Sequence, residues 1–132
     1  MGGAYRFYED LRACLDAKLK YVSGPCIRII PHFATISSYK NTASTGELKG
    51  LHTLDAMSLE DKNILIVEDM IDTGTTMKAI LTNVKARNPK SLKVTIAFHK
   101  KTPKNVEWGY FADYVGFLVP ELFVIGYGMD YN

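Results

Sequence analysis

The amino-acid sequence predicts an α/β fold built on a mostly parallel, doubly wound sheet. Residues 64–67 are four consecutive apolar residues rich in β-branching, which suits a strand buried on both faces. An amphipathic helix is predicted from residue 75 to about 87, and a second buried strand for residues 94–98. Strand, helix and strand at this spacing indicate a right-handed βαβ unit, the repeating element of parallel sheets.

The elements before this unit are less regular. Residues 26–36 contain many β-forming residues but are interrupted by Pro31, and they predict one strand. Residues 37–50 are polar with few apolar anchors, which is typical of a functional loop. A first helix is predicted from residue 4 to about 20, because four apolar side chains recur at helical spacing: Tyr8, Leu11, Leu15 and Leu19.

The second half of the chain adds the rest of the sheet. The helix that begins at residue 75 is expected to end at Asn88-Pro89. Residues 114–118 predict a third strand and residues 123–125 a short fourth one. The apolar stripe that would bury the helix consists of Met77, Ile80, Leu81 and Val84.

Bulk properties place the chain among ordinary globular domains. Its 132 residues predict a single domain, residues 1–132, and 47% of them are hydrophobic. A net charge of +2 is too small to indicate non-specific nucleic-acid binding, and no apolar stretch approaches a membrane span. Cys14 and Cys26 have no metal or redox spacing and are expected to be reduced core thiols. The chain is therefore expected to be cytosolic, without nucleic-acid or membrane partners.

Acidic and hydroxyl side chains follow the central apolar run. Ligands of open α/β sheets bind beyond the carboxyl ends of such strands, and a helix N-terminus favours an anion. Carboxylates accept hydrogen bonds from a diol, while glycine lets a phosphate approach the backbone closely. The sequence therefore predicts a ribose phosphate ligand. The residues concerned are Glu68, Asp69, Asp72, Thr73, Gly74, Thr75 and Thr76.

The apolar run and the first two acids alone would fit an ordinary buried strand ending in a solvated acidic turn. The residues from Asp72 to Thr76, in register behind them, favour the ligand site instead. Nucleoside triphosphate and dinucleotide sites are not favoured, because the glycine spacing matches neither the P-loop nor the GxGxxG pattern.

The motif resembles the phosphoribosyl pyrophosphate site of the type I phosphoribosyltransferase family. The resemblance implies that fold, with a long flexible loop and a partial hood. It also implies that Glu68 and Asp69 contact the ribose hydroxyls, and that the residues from Asp72 to Thr76 hold the 5′-phosphate.

Further tracts resemble the hypoxanthine-guanine branch of the family. They are residues 2–3, 38–41, 44–46, 99–104, 114–117, 123–127 and 130–132. This resemblance implies that Lys100 binds O6 of a 6-oxopurine, that Phe123 stacks on the purine, and that the backbone of Val124 reads its edge. Without the resemblance, Lys100, Lys101 and Lys104 would indicate a solvated basic turn, and Phe123 would indicate a core residue.

The resemblance also implies contacts to pyrophosphate and Mg²⁺. Gly2 and Gly3 would lie at the pyrophosphate turn, and Lys101 and Lys104 would offset its charge. Asp130, together with Glu68 and Asp69, would hold Mg²⁺, which prefers oxygen ligands. The loop that contains Ser38 and Tyr39 would close over the site. His32, His52 and His99 have no metal-ligand spacing and are interpreted as incidental.

The implied activity is purine salvage by a glycosyltransferase. A 5-phosphoribosyl group would pass from phosphoribosyl pyrophosphate to N9 of hypoxanthine or guanine, giving IMP or GMP and pyrophosphate. Asp72 would be the general base, and the chain would form a homodimer or homotetramer.

Compared with the family, the sequence is expected to be truncated at both ends, without an N-terminal core strand and part of the hood. The alternative is therefore a non-catalytic relative that binds phosphoribosyl pyrophosphate or nucleotide, or acts through subunit association. A regulatory RNA-binding role is a third hypothesis, which the small net charge disfavours.

Overall fold

A computed structural model describes residues 3–24, 27–38 and 48–129 of the chain. Residues 63–119 follow a strand–helix alternation around one parallel sheet. In chain order the elements are α1 (Gly3–Leu19), β1 (Ser37–Ser38), β2 (Leu48–Lys49), a 3-10 helix (Leu51–Ala56), β3 (Asn63–Ile71), α2 (Thr75–Lys85), β4 (Ser91–Lys100), α3 (Pro103–Trp108) and β5 (Tyr114–Val119).

The main sheet has three parallel strands in the order β3–β4–β5. Ile71 near the end of β3 lies opposite His99 of β4, and Lys100 lies opposite Val119 of β5. This register brings the carboxyl ends of all three strands to the same edge. The predicted βαβ unit is confirmed, and so is the α/β fold class.

The sheet and α2 enclose the core. All four residues of the predicted apolar stripe of α2 are buried. Burying each such side chain contributes about 1.5–3 kcal/mol, so this face packs α2 against the sheet and fixes the start of the helix just after the end of β3. One cluster contains Ile71, Met77, Leu81, Val94, Ile96 and Ala112, and a second contains Leu54, Leu59, Ile80 and Val84.

Helix α1 confirms the first predicted helix and lies against β3. Its apolar stripe is only half-buried, and Gly3 is its one buried residue among those described. Aromatic contacts hold its first turns: the rings of Tyr5 and Tyr8 lie 5.7 and 5.4 Å from that of Phe33. Helix α1 is therefore anchored mainly at its N-terminal end, beside the acidic part of β3.

Two of the strand predictions are wrong. Residues 27–36 form no strand, and Ile27, Ile30 and Phe33 are largely exposed. Pro31 has no N–H to donate, and β-propensity without a neighbouring ladder does not make a strand. Residues 123–125 are likewise irregular and run into a tight turn in which Gly126 bridges to Met129.

Two smaller expectations also change. The polar stretch of residues 37–50 begins and ends in the short antiparallel pair β1–β2. Cys14 is a free but exposed thiol, not a core residue, whereas Cys26 lies outside the described residues. Within the described ranges, no helix is both long and apolar enough to cross a membrane.

Candidate functional site

The acidic pair lies inside β3, two to three residues before its end, instead of following it. Glu68 and Asp69 are both half-buried, and Asp69 Oδ1 accepts a hydrogen bond from the backbone N–H of Met70 at 2.8 Å. Gly3 at the start of α1 lies directly on Asp69, since a Cβ atom at Gly3 would be 2.0 Å from Asp69 Oδ2. The structure therefore brings three of the predicted site residues together.

The environment of Glu68 changes its acidity. Burial, and after it the negative charge of Asp69, together raise the pKa of Glu68 from 4.5 to about 7. Two carboxylates this close repel each other when both are ionised. Hydrogen-bond donors of a sugar diol, or a divalent cation, would stabilise the doubly ionised pair.

The loop after β3 turns sharply into α2. Gly74 is the N-cap residue, with φ of +80°, a left-handed conformation that favours glycine. It is also packed tightly, because a Cβ atom there would lie 2.5 Å from the Trp108 ring and 2.6 Å from Asn105 Oδ1. Thr73 and Thr75 remain exposed, with their hydroxyl oxygens 3.2 Å apart. Their hydroxyls and the first N–H groups of α2 can receive a phosphate.

Asp72 and Lys100 meet at the ends of neighbouring strands. Lys100 Nζ lies 3.3 Å from Asp72 Oδ1; the lysine side chain is 9% exposed and that of the aspartate 57%. The pair therefore has a buried cation and a solvent-facing anion. A ligand in front of the sheet edge can reach both charges.

Helix α3 supports this pair through residues that sequence reasoning missed. Thr102 is the N-cap of α3: its hydroxyl accepts from Asn105 N–H at 3.2 Å and donates to the Asp72 carbonyl at 3.1 Å. Asn105 Nδ2 donates to the Asp72 carbonyl and, at 2.9 Å, to the Lys100 carbonyl. A threonine followed by Pro103 is a typical helix start and could have revealed the cap. No local pattern marks Asn105.

The turn that precedes Asp130 is fastened to α1. Tyr127 Oη donates to Asp10 Oδ2 at 2.5 Å, and Arg6 Nε lies 3.7 Å from the same carboxylate oxygen. A Cβ atom at Gly3 would also lie 3.1 Å from Met129 Cγ. The end of the described chain therefore converges on the start of α1 and on Asp69. The sequence offered no signal for the contact between Tyr127 and Asp10.

The remaining predicted residues are more peripheral or lie outside the described residues. Phe123 is 68% exposed and Val124 half-buried on the segment after β5, while Lys104 is exposed in the first turn of α3. His99 is buried against the ring of Phe111, and burial lowers its pKa. Gly2, Tyr39 and Asp130 lie outside the described residues, and so does the side chain of Ser38.

The donor set of the acidic pair suits Mg²⁺, which often takes only one or two protein carboxylates and completes its shell with water and substrate oxygens. Within residues 3–24, 27–38 and 48–129, no three His, Cys, Asp or Glu side chains form a group that could hold a metal ion. Glu68 and Asp69 therefore fit as partial ligands, not as a complete protein cage.

A sequence profile of the phosphoribosyl transferase domain matches residues 27–132. The chain belongs to the phosphoribosyltransferase family. Hypoxanthine-guanine phosphoribosyltransferases of Sus scrofa and Homo sapiens are 45% and 44% identical to this chain over 130 residues, 98% of its length. The chain spans 58% of the length of those relatives. The predicted resemblance to this branch is confirmed.

Solved structures agree with this assignment. A hypoxanthine phosphoribosyltransferase from Trypanosoma cruzi, in complex with the product IMP, superposes with a TM-score of 0.73 at 34% identity, covering 99% of this chain and 64% of that one. A Staphylococcus aureus hypoxanthine phosphoribosyltransferase gives a TM-score of 0.73 at 33% identity, covering 99% and 65%. The type I phosphoribosyltransferase fold predicted from sequence is confirmed.

Proposed function

We propose that this protein transfers the 5-phosphoribosyl group of phosphoribosyl pyrophosphate to N9 of hypoxanthine or guanine. The products are IMP or GMP and pyrophosphate. One observation carries the proposal: the buried Lys100 and the exposed Asp72 pair at 3.3 Å beside a loop built to hold a phosphate. The likeness to hypoxanthine-guanine phosphoribosyltransferases and to an IMP complex supports it.

The sugar phosphate fits the loop and the acidic pair. Thr73, Thr75 and Thr76 offer hydroxyl groups, and the start of α2 offers N–H groups, to a 5′-phosphate. Glu68 and Asp69 accept hydrogen bonds from the ribose hydroxyls. Their negative charge also stabilises the positive charge that develops on the sugar as its C1′–O bond breaks.

The base fits the ion pair. Lys100 donates a hydrogen bond to the O6 acceptor of a 6-oxopurine, whereas the amino group of adenine would place donor against donor. Phe123 stacks on the purine, and the Val124 backbone reads its edge. As C1′–N9 forms and pyrophosphate leaves, Asp72 accepts the proton that the purine loses. Its exposed carboxylate suits a base that must be reached from the ligand side.

The leaving group needs positive charge and exclusion of water. Mg²⁺, when bound, would neutralise part of the pyrophosphate charge; Glu68, Asp69 and Asp130 are its proposed ligands. Lys104 adds a further positive charge. Gly2 and Gly3 let the pyrophosphate approach the backbone at the start of α1, and Ser38 and Tyr39 belong to a loop that excludes water. A cytoplasmic location is also proposed, and assembly into a dimer or tetramer is proposed from the resemblance alone.

The test is turnover of phosphoribosyl pyrophosphate by the full chain with Mg²⁺ and hypoxanthine or guanine, with adenine as the competing base. Asp72→Asn is expected to abolish most turnover, because it removes the proton acceptor while keeping its shape. Asp16→Asn is the matched control, since Asp16 is a partly exposed acid on α1 that pairs only with Arg12 in the described contacts.

Turnover with 6-oxopurines, absent with adenine and lost in Asp72→Asn alone, would support the proposal. Folded protein that binds IMP without turnover would favour the non-catalytic alternative. Folded protein that binds neither IMP nor phosphoribosyl pyrophosphate would contradict both functions.

A further inference from the structure

Asn105 connects the backbones of the two residues that meet in the ion pair. Its Nδ2 group donates to the carbonyl oxygens of Asp72, which directly follows β3, and of Lys100, the last residue of β4. Because each amide N–H satisfies one carbonyl, the side chain acts as a bridge across the sheet edge. The residue is 4% exposed, so it lies behind the site and not in front of it.

The same side chain also supports the proposed phosphate loop, residues 72–76. Asn105 Oδ1 lies against Gly74, where a Cβ atom would come within 2.6 Å of it. That oxygen is buried and has no hydrogen-bond partner among the described residues. Leaving a buried acceptor unpaired costs about 1–3 kcal/mol. The orientation is retained because reversing the amide would place its oxygen against two carbonyl oxygens.

We infer that Asn105 is a positioning residue, which sets the separation of Asp72 and Lys100 and so fixes the base-recognition geometry. The inference rests on the proposed function. A bridge between the main-chain carbonyls fixes the backbone positions that carry the Asp72 and Lys100 side chains. The ion pair between these flexible side chains does not fix the backbone. Since a misplacement of about 1 Å can cost about a hundredfold in rate, losing the bridge should matter although Asn105 does not contact the ligand.

Asn105→Asp is the sharpest variant, because it keeps the size and the contact with Gly74 but removes both N–H donors. Asn105→Ala removes the amide without adding a carboxylate, and serves if the first variant does not fold. Asn83→Asp is the matched control: Asn83 lies on α2 and accepts a hydrogen bond from Arg87 through its oxygen, which aspartate retains. Folding is checked by thermal unfolding before kinetics are measured.

The decisive measurement is whether the kinetic constants for the purine base change while those for phosphoribosyl pyrophosphate do not. We expect kcat/KM for hypoxanthine to fall by about tenfold to a hundredfold, and the preference for hypoxanthine over adenine to fall with it. In Asn105→Asp, KM for phosphoribosyl pyrophosphate should change little, because the Gly74 contact is kept. Equal losses in every parameter, in proportion to the folded fraction, would show a merely structural role and overturn the inference. Unchanged hypoxanthine kinetics in either folded variant would overturn it too.

A second measurement separates this inference from the proposed function. Equilibrium binding of IMP and of ribose 5-phosphate is compared in wild type and variants, because only IMP carries a base. If the wild type binds both without turnover, the proposed reaction fails, but weaker IMP binding at unchanged ribose 5-phosphate binding still supports positioning. Equal weakening of both ligands, or wild-type protein that binds neither, would contradict the inference.

Discussion

Gly3 and Asp69 are in such close contact that only a hydrogen atom fits between the glycine Cα and the carboxylate. A side chain at Gly3 would place its Cβ 2.0 Å from Asp69 Oδ2 and 3.1 Å from Met129 Cγ. Real Cβ atoms do not approach other atoms so closely, so the carboxylate would have to move. The start of α1 therefore fixes one carboxylate of the proposed sugar site.

Gly3→Ala should consequently weaken binding of phosphoribosyl pyrophosphate more than it weakens the fold. Overpacking of this kind costs about 1–3 kcal/mol, and a binding loss of 1.4 kcal/mol is about tenfold in affinity. Two quantities are measured for wild type and Gly3→Ala: the dissociation constant for phosphoribosyl pyrophosphate and the free energy of unfolding. The double variant with Asp69→Ala should show no added binding loss from the alanine at position 3. A fully additive loss would mean that the two residues act separately.

Glu68 should make stability depend on pH. Its folded pKa of about 7 lies above its ordinary value of 4.5, so the folded protein holds this proton more tightly than the unfolded chain. The stabilisation is complete below pH 4.5 and is lost as the pH rises through 7. At about 1.4 kcal/mol for each pH unit between the two pKa values, the loss is about 3.5 kcal/mol. Urea unfolding between pH 4.5 and 8 measures it.

Glu68→Gln is the control for that dependence, because glutamine keeps the shape and cannot ionise. The variant should have a flatter stability curve from pH 4.5 to 8, and should gain stability relative to wild type above pH 7. A wild-type curve that rises with pH over this interval, or one that Glu68→Gln leaves unchanged, would rule out a raised pKa at this position.

The βαβ unit could be predicted because its signals are strong and local. Residues 64–67 carry an uninterrupted apolar run, and the α2 stripe has a helical period that the core confirms. Residues 27–36 and 123–125 have similar local β-propensity but form no strand. The difference is tertiary, because a strand needs a neighbour with free backbone groups, which propensity does not report.

The candidate site, like the fold, could be predicted only in part from the sequence. Parallel topology brings the ends of β3 and β4 to one edge, so the proximity of Asp72 and Lys100 follows once the unit is recognised. Asn105 could not be predicted, because its contact with Asp72 joins residues 33 positions apart and depends on how α3 packs. The Tyr127 contact with Asp10 spans 117 positions and is equally invisible to local patterns.

The Asp72–Lys100 pair should respond asymmetrically to the loss of either partner. Removing Asp72 leaves a buried ammonium without its counter-charge, whereas removing the lysine leaves a carboxylate that water already solvates. Asp72→Asn should therefore destabilise the fold by about 1–3 kcal/mol, while Lys100→Met should be close to neutral. Both should lose turnover of hypoxanthine. Chemical unfolding at pH 7 and steady-state kinetics measure the two effects.

The exposed pair of Lys93 and Asp113 provides the comparison. Lys93 Nζ lies 2.7 Å from Asp113 Oδ1, but the lysine side chain is 55% exposed. Exposed ion pairs contribute little to stability, so Lys93→Met should change neither unfolding nor turnover appreciably. Lys100→Met proving more destabilising than Asp72→Asn would contradict the asymmetry.

Comparing alanine variants of Gly74 and Gly109 distinguishes the cost of backbone strain from the cost of steric crowding. Both have positive φ, +80° and +65°, but a Cβ atom at Gly74 would lie 2.5 Å from the Trp108 ring, whereas nothing lies within 4 Å of one at Gly109. Gly109→Ala should therefore cost only the left-handed backbone strain, about 1–2 kcal/mol. Gly74→Ala adds overpacking of about 1–3 kcal/mol and should also displace the phosphate loop.

Ribose 5-phosphate binding distinguishes the two glycine variants. Gly74→Ala is expected to weaken it by about tenfold or more, equivalent to at least 1.4 kcal/mol, because the N–H groups at the start of α2 move away from the phosphate. Gly109→Ala should bind the ligand like wild type despite its lower stability. The double variant Gly74→Ala with Trp108→Leu should recover part of the binding, since the smaller side chain frees space. Equal losses in the two single variants would show that general destabilisation, and not the geometry of the loop, controls phosphate binding.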